Sequence, residues 1–98
     1  MHSAKSAPRT KASRKKAGTW LKRLRLQVGL SQIELARRLG FKYYTIISQV
    51  ENGHVRLPTG KIAPWAAAVG VSAAELARGL LPYYEPELYR LLYKTAQR

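Results

Sequence analysis

The side chains that could do chemistry in this 98-residue chain are mainly cations. Eighteen lysine and arginine residues stand against five acidic residues, which gives a formal net charge of +13. The acids are scattered, cysteine is absent, and the two histidines, His2 and His54, have no neighbours that would complete a metal site or a catalytic triad. We therefore expect no enzyme, no cofactor and no small-molecule ligand. The cations instead favour the binding of a polyanion.

The positive charge is concentrated at the N-terminus. Nine basic residues precede the first acid, Glu34: Lys5, Arg9, Lys11, Arg14, Lys15, Lys16, Lys22, Arg23 and Arg25. Residues 1–18 have no apolar periodicity, so this segment is predicted to be a disordered basic arm. Such an arm either contacts nucleic acid in part or serves only as a solvated tail.

Residues 30–53 contain the pattern of two short helices joined by a tight turn. Ser31 and Glu34 have the spacing of a capping box at the start of the first helix. Gly40 suits the left-handed conformation that ends it. Apolar residues fall on one face of each helix, namely Leu35, Ala36, Leu39, Ile47 and Val50. This is the layout of a helix-turn-helix, whose second helix enters the major groove of DNA.

The run LSQIELARRLG, followed by an aliphatic-rich helix that ends in ENG, resembles the XRE family, which includes Cro and the phage repressors. The resemblance covers about residues 20–81. It implies an all-α fold, a five-helix repressor-like helix-turn-helix domain with a short C-terminal extension helix. The chain departs from the family spacing at one point, because one extra residue lies between Gly40 and Ile47. We expect the extra residue in the turn, although it could instead distort the start of the second helix.

Capping residues and apolar spacing place the elements of this domain. We predict helices at about residues 19–28, 32–39, 43–51, 61–69 and 73–81. Thr19 would cap the first, whose apolar stripe is Leu21, Leu24 and Val28. The helix-turn-helix domain then occupies residues 19–81. The C-terminal extension, residues 82–98, begins a sixth helix at Pro86.

The helix predicted at residues 43–51 carries the candidate base-reading residues. Tyr43, Ile47 and Val50 recur at helical spacing and are expected to be buried. The other face carries the four side chains predicted to enter the groove: Tyr44, Thr45, Ser48 and Gln49. The amide of Gln49 suits a bidentate contact with adenine.

Three further residues are candidates for the phosphate backbone. Gln32 lies at the start of a helix, where N–H groups favour an anion, and the resemblance implies the same role. Lys42 and Arg56 would flank the groove from the turn and from the following loop. The resemblance also implies a structural ion pair between Arg25 and Glu51.

The sequence as a whole favours a sequence-specific transcriptional regulator that binds double-stranded DNA as a homodimer. The leucines and tyrosines of residues 80–93 suit the dimer interface, or else they fold back to complete the core. Two other functions stay open: an antitoxin-like or other protein-interaction module, and a sequence-indifferent nucleic-acid binder driven by the arm. No apolar run is long enough to span a bilayer and no signal peptide is recognisable. We therefore expect no membrane partner and a cytoplasmic location.

Overall fold

Helices account for all the regular structure in residues 2–94, the part of the chain that the computed structural model describes, with side chains described for residues 11–93. The α-helices are α1 (His2–Gln27), α2 (Gln32–Leu39), α3 (Thr45–Glu51), α4 (Ile62–Val69), α5 (Ala73–Tyr84) and α6 (Pro86–Tyr89). A 3-10 turn, Thr59–Lys61, precedes α4, and a π-helical turn, Arg90–Lys94, follows α6. The prediction of an all-α fold is confirmed.

Local capping interactions fix where α2 and α5 begin. The Ser31 hydroxyl accepts from the Glu34 N–H at 3.0 Å, and the Glu34 carboxylate accepts from the Ser31 N–H at 2.8 Å. Ser72 and Glu75 repeat this arrangement at 3.0 and 2.9 Å. Both predicted capping boxes are therefore present, and each satisfies two backbone groups at a helix end that would otherwise lack partners.

The core receives fully buried side chains from the first five helices. They are Leu21 of α1, Leu35 of α2, Ile47 and Val50 of α3, Trp65 of α4 and Leu76 of α5. Burying an aliphatic side chain of this size contributes about 1.5–3 kcal/mol. The result is a scaffold in which one face of α3 is held by the core while its other face is exposed.

Residues 2–18, predicted to be a disordered basic arm, belong to α1, which begins at His2 rather than at Thr19. Thr19 does not cap a helix. It lies inside one, where its hydroxyl donates to the carbonyl of Lys15 at 3.0 Å. Met1, the remaining residue of the predicted arm, lies outside the described residues.

Small residues explain why this part of α1 packs without an apolar stripe. Ala17 and Gly18 are buried. A Cβ added to Gly18 would lie 2.1 Å from the carbonyl oxygen of Glu51, and one added to Gly53 would lie 2.6 Å from the backbone nitrogen of Lys15. Only glycine allows backbones to approach so closely. Apolar periodicity does not reveal a contact made by backbone atoms.

The turn between α2 and α3 accommodates the extra residue. Helix α3 begins at Thr45, and the Tyr44 carbonyl accepts from the Ile47 N–H at 2.9 Å and from the Ser48 N–H at 3.4 Å, the second being the α-helical bond. Tyr43 lies in the turn and is 65% exposed, which makes the prediction of a buried Tyr43 wrong. Val28 is also exposed, because α1 ends at Gln27.

The C-terminal extension starts as a continuation of α5. The helix runs through Pro82 to Tyr84, and Tyr83 and Tyr84 pack against the core. Helix α6 begins at Pro86, as predicted. From Pro86 onward, four large apolar side chains are exposed: Leu88, Leu91, Leu92 and Tyr93. The extension therefore completes the core with its first residues and exposes an apolar surface within residues 88–93.

Candidate nucleic-acid interface

The outward face of α3 presents the four candidate base-reading side chains. Thr45 and Gln49 are exposed, Ser48 is partly exposed, and Tyr44, at the N-cap position, is 48% exposed. The opposite face carries the fully buried Ile47 and Val50. The structure thus brings the four predicted residues together on one short element, anchored from behind.

A buried ion pair holds the C-terminal end of α3. The Arg25 Nε lies 2.7 Å from Glu51 Oε2, and its Nη2 lies 3.0 Å from Oε1. The third nitrogen, Nη1, donates to the carbonyl of Leu30 at 2.8 Å. Side-chain exposure is 6% for the arginine and 2% for the glutamate. The implied Arg25–Glu51 pair is confirmed, with the two-pronged geometry that makes such hydrogen bonds strong.

Gln32 joins the same network at the start of α2. Its Nε2 donates to Glu51 Oε1 at 3.0 Å, so one carboxylate accepts from α1 and from α2 while belonging to α3. The bond fixes the amide of Gln32 beside the first turn of α2. Backbone N–H groups there are oriented to favour an anion. Sequence reasoning placed Gln32 correctly in this turn and missed its partner.

Lys42 and Arg56 are both exposed on the surface. In the sequence, Lys42 precedes α3 and Arg56 follows it. The Lys42 ammonium is exposed and lies 5.5 Å from the centre of the Tyr43 ring. Arg56 Nη1 is 2.7 Å from Glu85 Oε2, with both side chains more than two-fifths exposed. An exposed ion pair of this kind contributes only about 0–1 kcal/mol, so a phosphate can compete with Glu85 for the guanidinium.

Tyr84 supports the loop that carries Arg56. Its hydroxyl accepts from the Leu57 N–H at 3.0 Å, and the Arg56 guanidinium lies 4.9 Å from the centre of its ring. Burial raises the pKa of the Tyr84 phenol, although the Leu57 N–H and the Arg56 charge oppose that rise. The loop between α3 and α4 is therefore attached to the end of α5.

A family model described as helix-turn-helix matches residues 21–76. The chain belongs to the XRE-type helix-turn-helix family. No curated protein matches the chain significantly. Members of this family are non-enzymatic DNA-binding domains, and the protein is accordingly a DNA-binding regulator of the helix-turn-helix class. The match does not include residues 2–20 of α1 or residues 77–84 of α5. The helical structure extends beyond the predicted helices in parts of these two regions, at residues 2–18 and 82–84.

Two residues that sequence reasoning missed border the second helix of the helix-turn-helix. Lys15 Nζ donates to Asn52 Oδ1 at 3.4 Å, and Asn52 Nδ2 donates to Ser48 Oγ at 3.3 Å. Lys15 belongs to the segment predicted to be disordered, so the position of its side chain could not be predicted. The ENG signature that contains Asn52 was the available signal.

Two other kinds of feature are absent from the part of the chain that the structure describes. Within residues 2–94, no helix combines the length and hydropathy needed to cross a membrane. In the same range, no three acidic or histidine side chains gather where they would hold a metal ion.

Proposed function

We propose that the protein is a sequence-specific transcriptional regulator that places α3 in the major groove of double-stranded DNA. The observation that carries this proposal is the division of α3 into a buried face and an outward face. Gln49 contacts adenine, Thr45 contacts a thymine methyl group or a base edge, and Tyr44 and Ser48 reach neighbouring base edges or phosphate oxygens. These contacts determine which DNA sequence the protein prefers.

Phosphate contacts fix the register of α3 on the duplex. Gln32 binds the backbone from the start of α2, held by its bond to Glu51. Lys42 and Arg56 bind phosphates on the two sides of the groove, with Arg56 exchanging Glu85 for a phosphate oxygen. Such contacts position a protein without reading bases. The net charge of +13 adds long-range attraction to DNA.

The experiment begins with selection of bound sequences from a random DNA pool. Gln49→Ala should then weaken binding to the selected site by about 1–3 kcal/mol and change little on random DNA, because one bidentate base contact is lost. Gln27→Ala, at the exposed end of α1, is the matched control that removes the same amide elsewhere. Equal weakening on both DNAs, or no selected sequence, would contradict the proposal.

The protein is proposed to act as a homodimer. One helix-turn-helix reads only a few base pairs, and a two-fold pair reads two half-sites about 10–10.5 bp apart. The exposed apolar residues at the end of the chain support this proposal: Leu88, Leu91, Leu92 and Tyr93. The same surface would serve the protein-interaction alternative, so the oligomeric state on DNA separates the two.

A further inference from the structure

The part of α1 that precedes the family match is attached directly to the interface. Lys15 reaches Asn52 at 3.4 Å, and Asn52 in turn reaches Ser48 on the outward face of α3 at 3.3 Å. Behind this contact, Gly18 lies against the backbone of Glu51. A cation of α1 therefore borders the residues proposed to meet the bases.

Helical spacing arranges the exposed cations of residues 11–27 along two edges. At about 100° per residue, Lys11, Lys15 and Lys22 fall on one edge, beside Gly18 and hence beside α3. Lys16 and Arg23, seven residues apart, fall on a second edge. That edge adjoins Trp20, whose ring lies on Gly79 of α5. One helix thus presents one set of cations toward α3 and another toward α5, and all five side chains are exposed.

We propose that Lys11, Lys15 and Lys22 form a phosphate-binding edge that extends the DNA contact beyond the helix-turn-helix. The proposal rests on the proposed function, since it places α3 in the groove and α1 over the adjoining backbone. The three lysines span about 16 Å of helix at 1.5 Å per residue, which suits contact with several successive phosphates.

This edge differs from a flexible basic arm in the entropy that is lost when DNA binds. Helix α1 is already held against α3 by the Gly18 and Gly53 contacts, so binding does not have to order the backbone that carries the lysines. The lysines contact phosphate oxygens, which are the same for every sequence. The edge therefore adds affinity and salt dependence without adding base preference.

The test compares two double variants of equal charge. Lys11→Gln with Lys15→Gln alters the edge beside α3, and Lys16→Gln with Arg23→Gln alters the edge beside α5. Binding to the selected site and to random DNA is measured between 50 and 200 mM salt, with circular dichroism to verify helicity. The first variant should flatten the plot of log K against log salt by roughly 0.9 per lost contact, or about 1.8 in all, on both DNAs. The second should keep the parental slope.

Equal flattening by the two variants would overturn the proposal, because general charge rather than a specific edge would then account for the effect. An unchanged slope for the first variant would overturn it too. Lys22→Gln, added to the first variant, should remove about a further 0.9 from the slope. Failure of the proposed phosphate-binding edge can be distinguished from failure of the proposed function. The Gln49→Ala variant tests base preference, whereas the lysine variants test the salt dependence of binding.

Discussion

The backbone of Gly18 in α1 lies against the carbonyl oxygen of Glu51 in α3, and a Cβ at position 18 would be 2.1 Å from that oxygen. The contact joins the N-terminal half of α1 to the end of the helix that faces DNA. Because both partners are backbone, neither can move aside without shifting a whole helix.

Gly18→Ala is therefore expected to destabilise the protein by about 1–3 kcal/mol, the usual cost of overpacking. The loss should appear even though alanine favours a helix over glycine by roughly 0.5–1 kcal/mol. Urea unfolding measures it. Gly60→Ala is the control, since a Cβ there meets nothing within 4 Å. A Gly18→Ala protein as stable as the parent would show that α1 is not docked in this way.

Glu51→Ala should cost about 3–5 kcal/mol, because it leaves the buried Arg25 guanidinium without its carboxylate. Gln32 loses its acceptor in the same variant. Thermal unfolding should show a clear fall in Tm, while the DNA affinity of the folded fraction falls only by the share that the Gln32 phosphate contact supplies. Glu87→Ala, which breaks an exposed pair with Arg90, is the control and should change Tm little. Similar melting of the two variants would refute a structural role for Glu51.

The two capping boxes should account for part of the loss of folding stability at low pH. A hydrogen bond from the Ser31 backbone holds the pKa of Glu34 below its usual 4.5, and Ser72 does the same for Glu75. Their stabilisation is fully present above pH 4.5 and disappears as the pH falls through the lowered folded-state values. Glu34→Gln with Glu75→Gln should therefore flatten the loss of stability between neutral pH and pH 3. Glu87, whose pKa Arg90 also lowers, leaves a residual slope. A parental slope in the double variant would contradict this prediction.

Tyr84→Phe should lower stability by about 0.5–1.5 kcal/mol, since the ring stays under Arg56 while the Leu57 N–H loses its acceptor. Denaturant unfolding gives the difference. Tyr83→Phe is the matched control, because its hydroxyl makes no hydrogen bond to a side chain or backbone group within residues 11–93. Equal effects at the two positions would mean that the hydroxyl of Tyr84 does not support the loop.

Removal of residues 86–98 should give a folded monomer from a chain that is dimeric on DNA. Truncation at this point keeps α5 and the Tyr84–Leu57 bond and removes the exposed leucines. A cut after Leu81 would confuse dimerisation with folding, because Tyr83 and Tyr84 pack on the core. Mass measurement in solution, with and without DNA, decides the matter. A shortened chain that still dimerises would place the interface elsewhere.

Local signals made the central part of this fold predictable. The start of α2 follows from Ser31 and Glu34, and the buried face of α3 follows from the spacing of Ile47 and Val50. The residues of α3 that do not lie on this buried face then form its outward face. Predictions failed where distant backbone decided the outcome, as at Gly18, or where the turn changed the helical register, as at Tyr43.

The partners of the phosphate-binding candidates were beyond sequence reasoning for a related reason. Gln32 meets Glu51 across 19 positions of the chain, and Arg56 meets Glu85 across 29. Spacing within one helix gives no information on such pairs. They arise from the way α2, α3 and α5 pack around the shared core.

The ring of Trp20 resting on Gly79 gives the protein an optical reporter for the docking of α1. The chain has two tryptophans, and the other, Trp65, is fully buried in the core. Separation of α1 from α5 would expose the half-buried indole of Trp20 to water and shift its emission to longer wavelength. Intrinsic fluorescence can therefore report whether α1 is packed against α5.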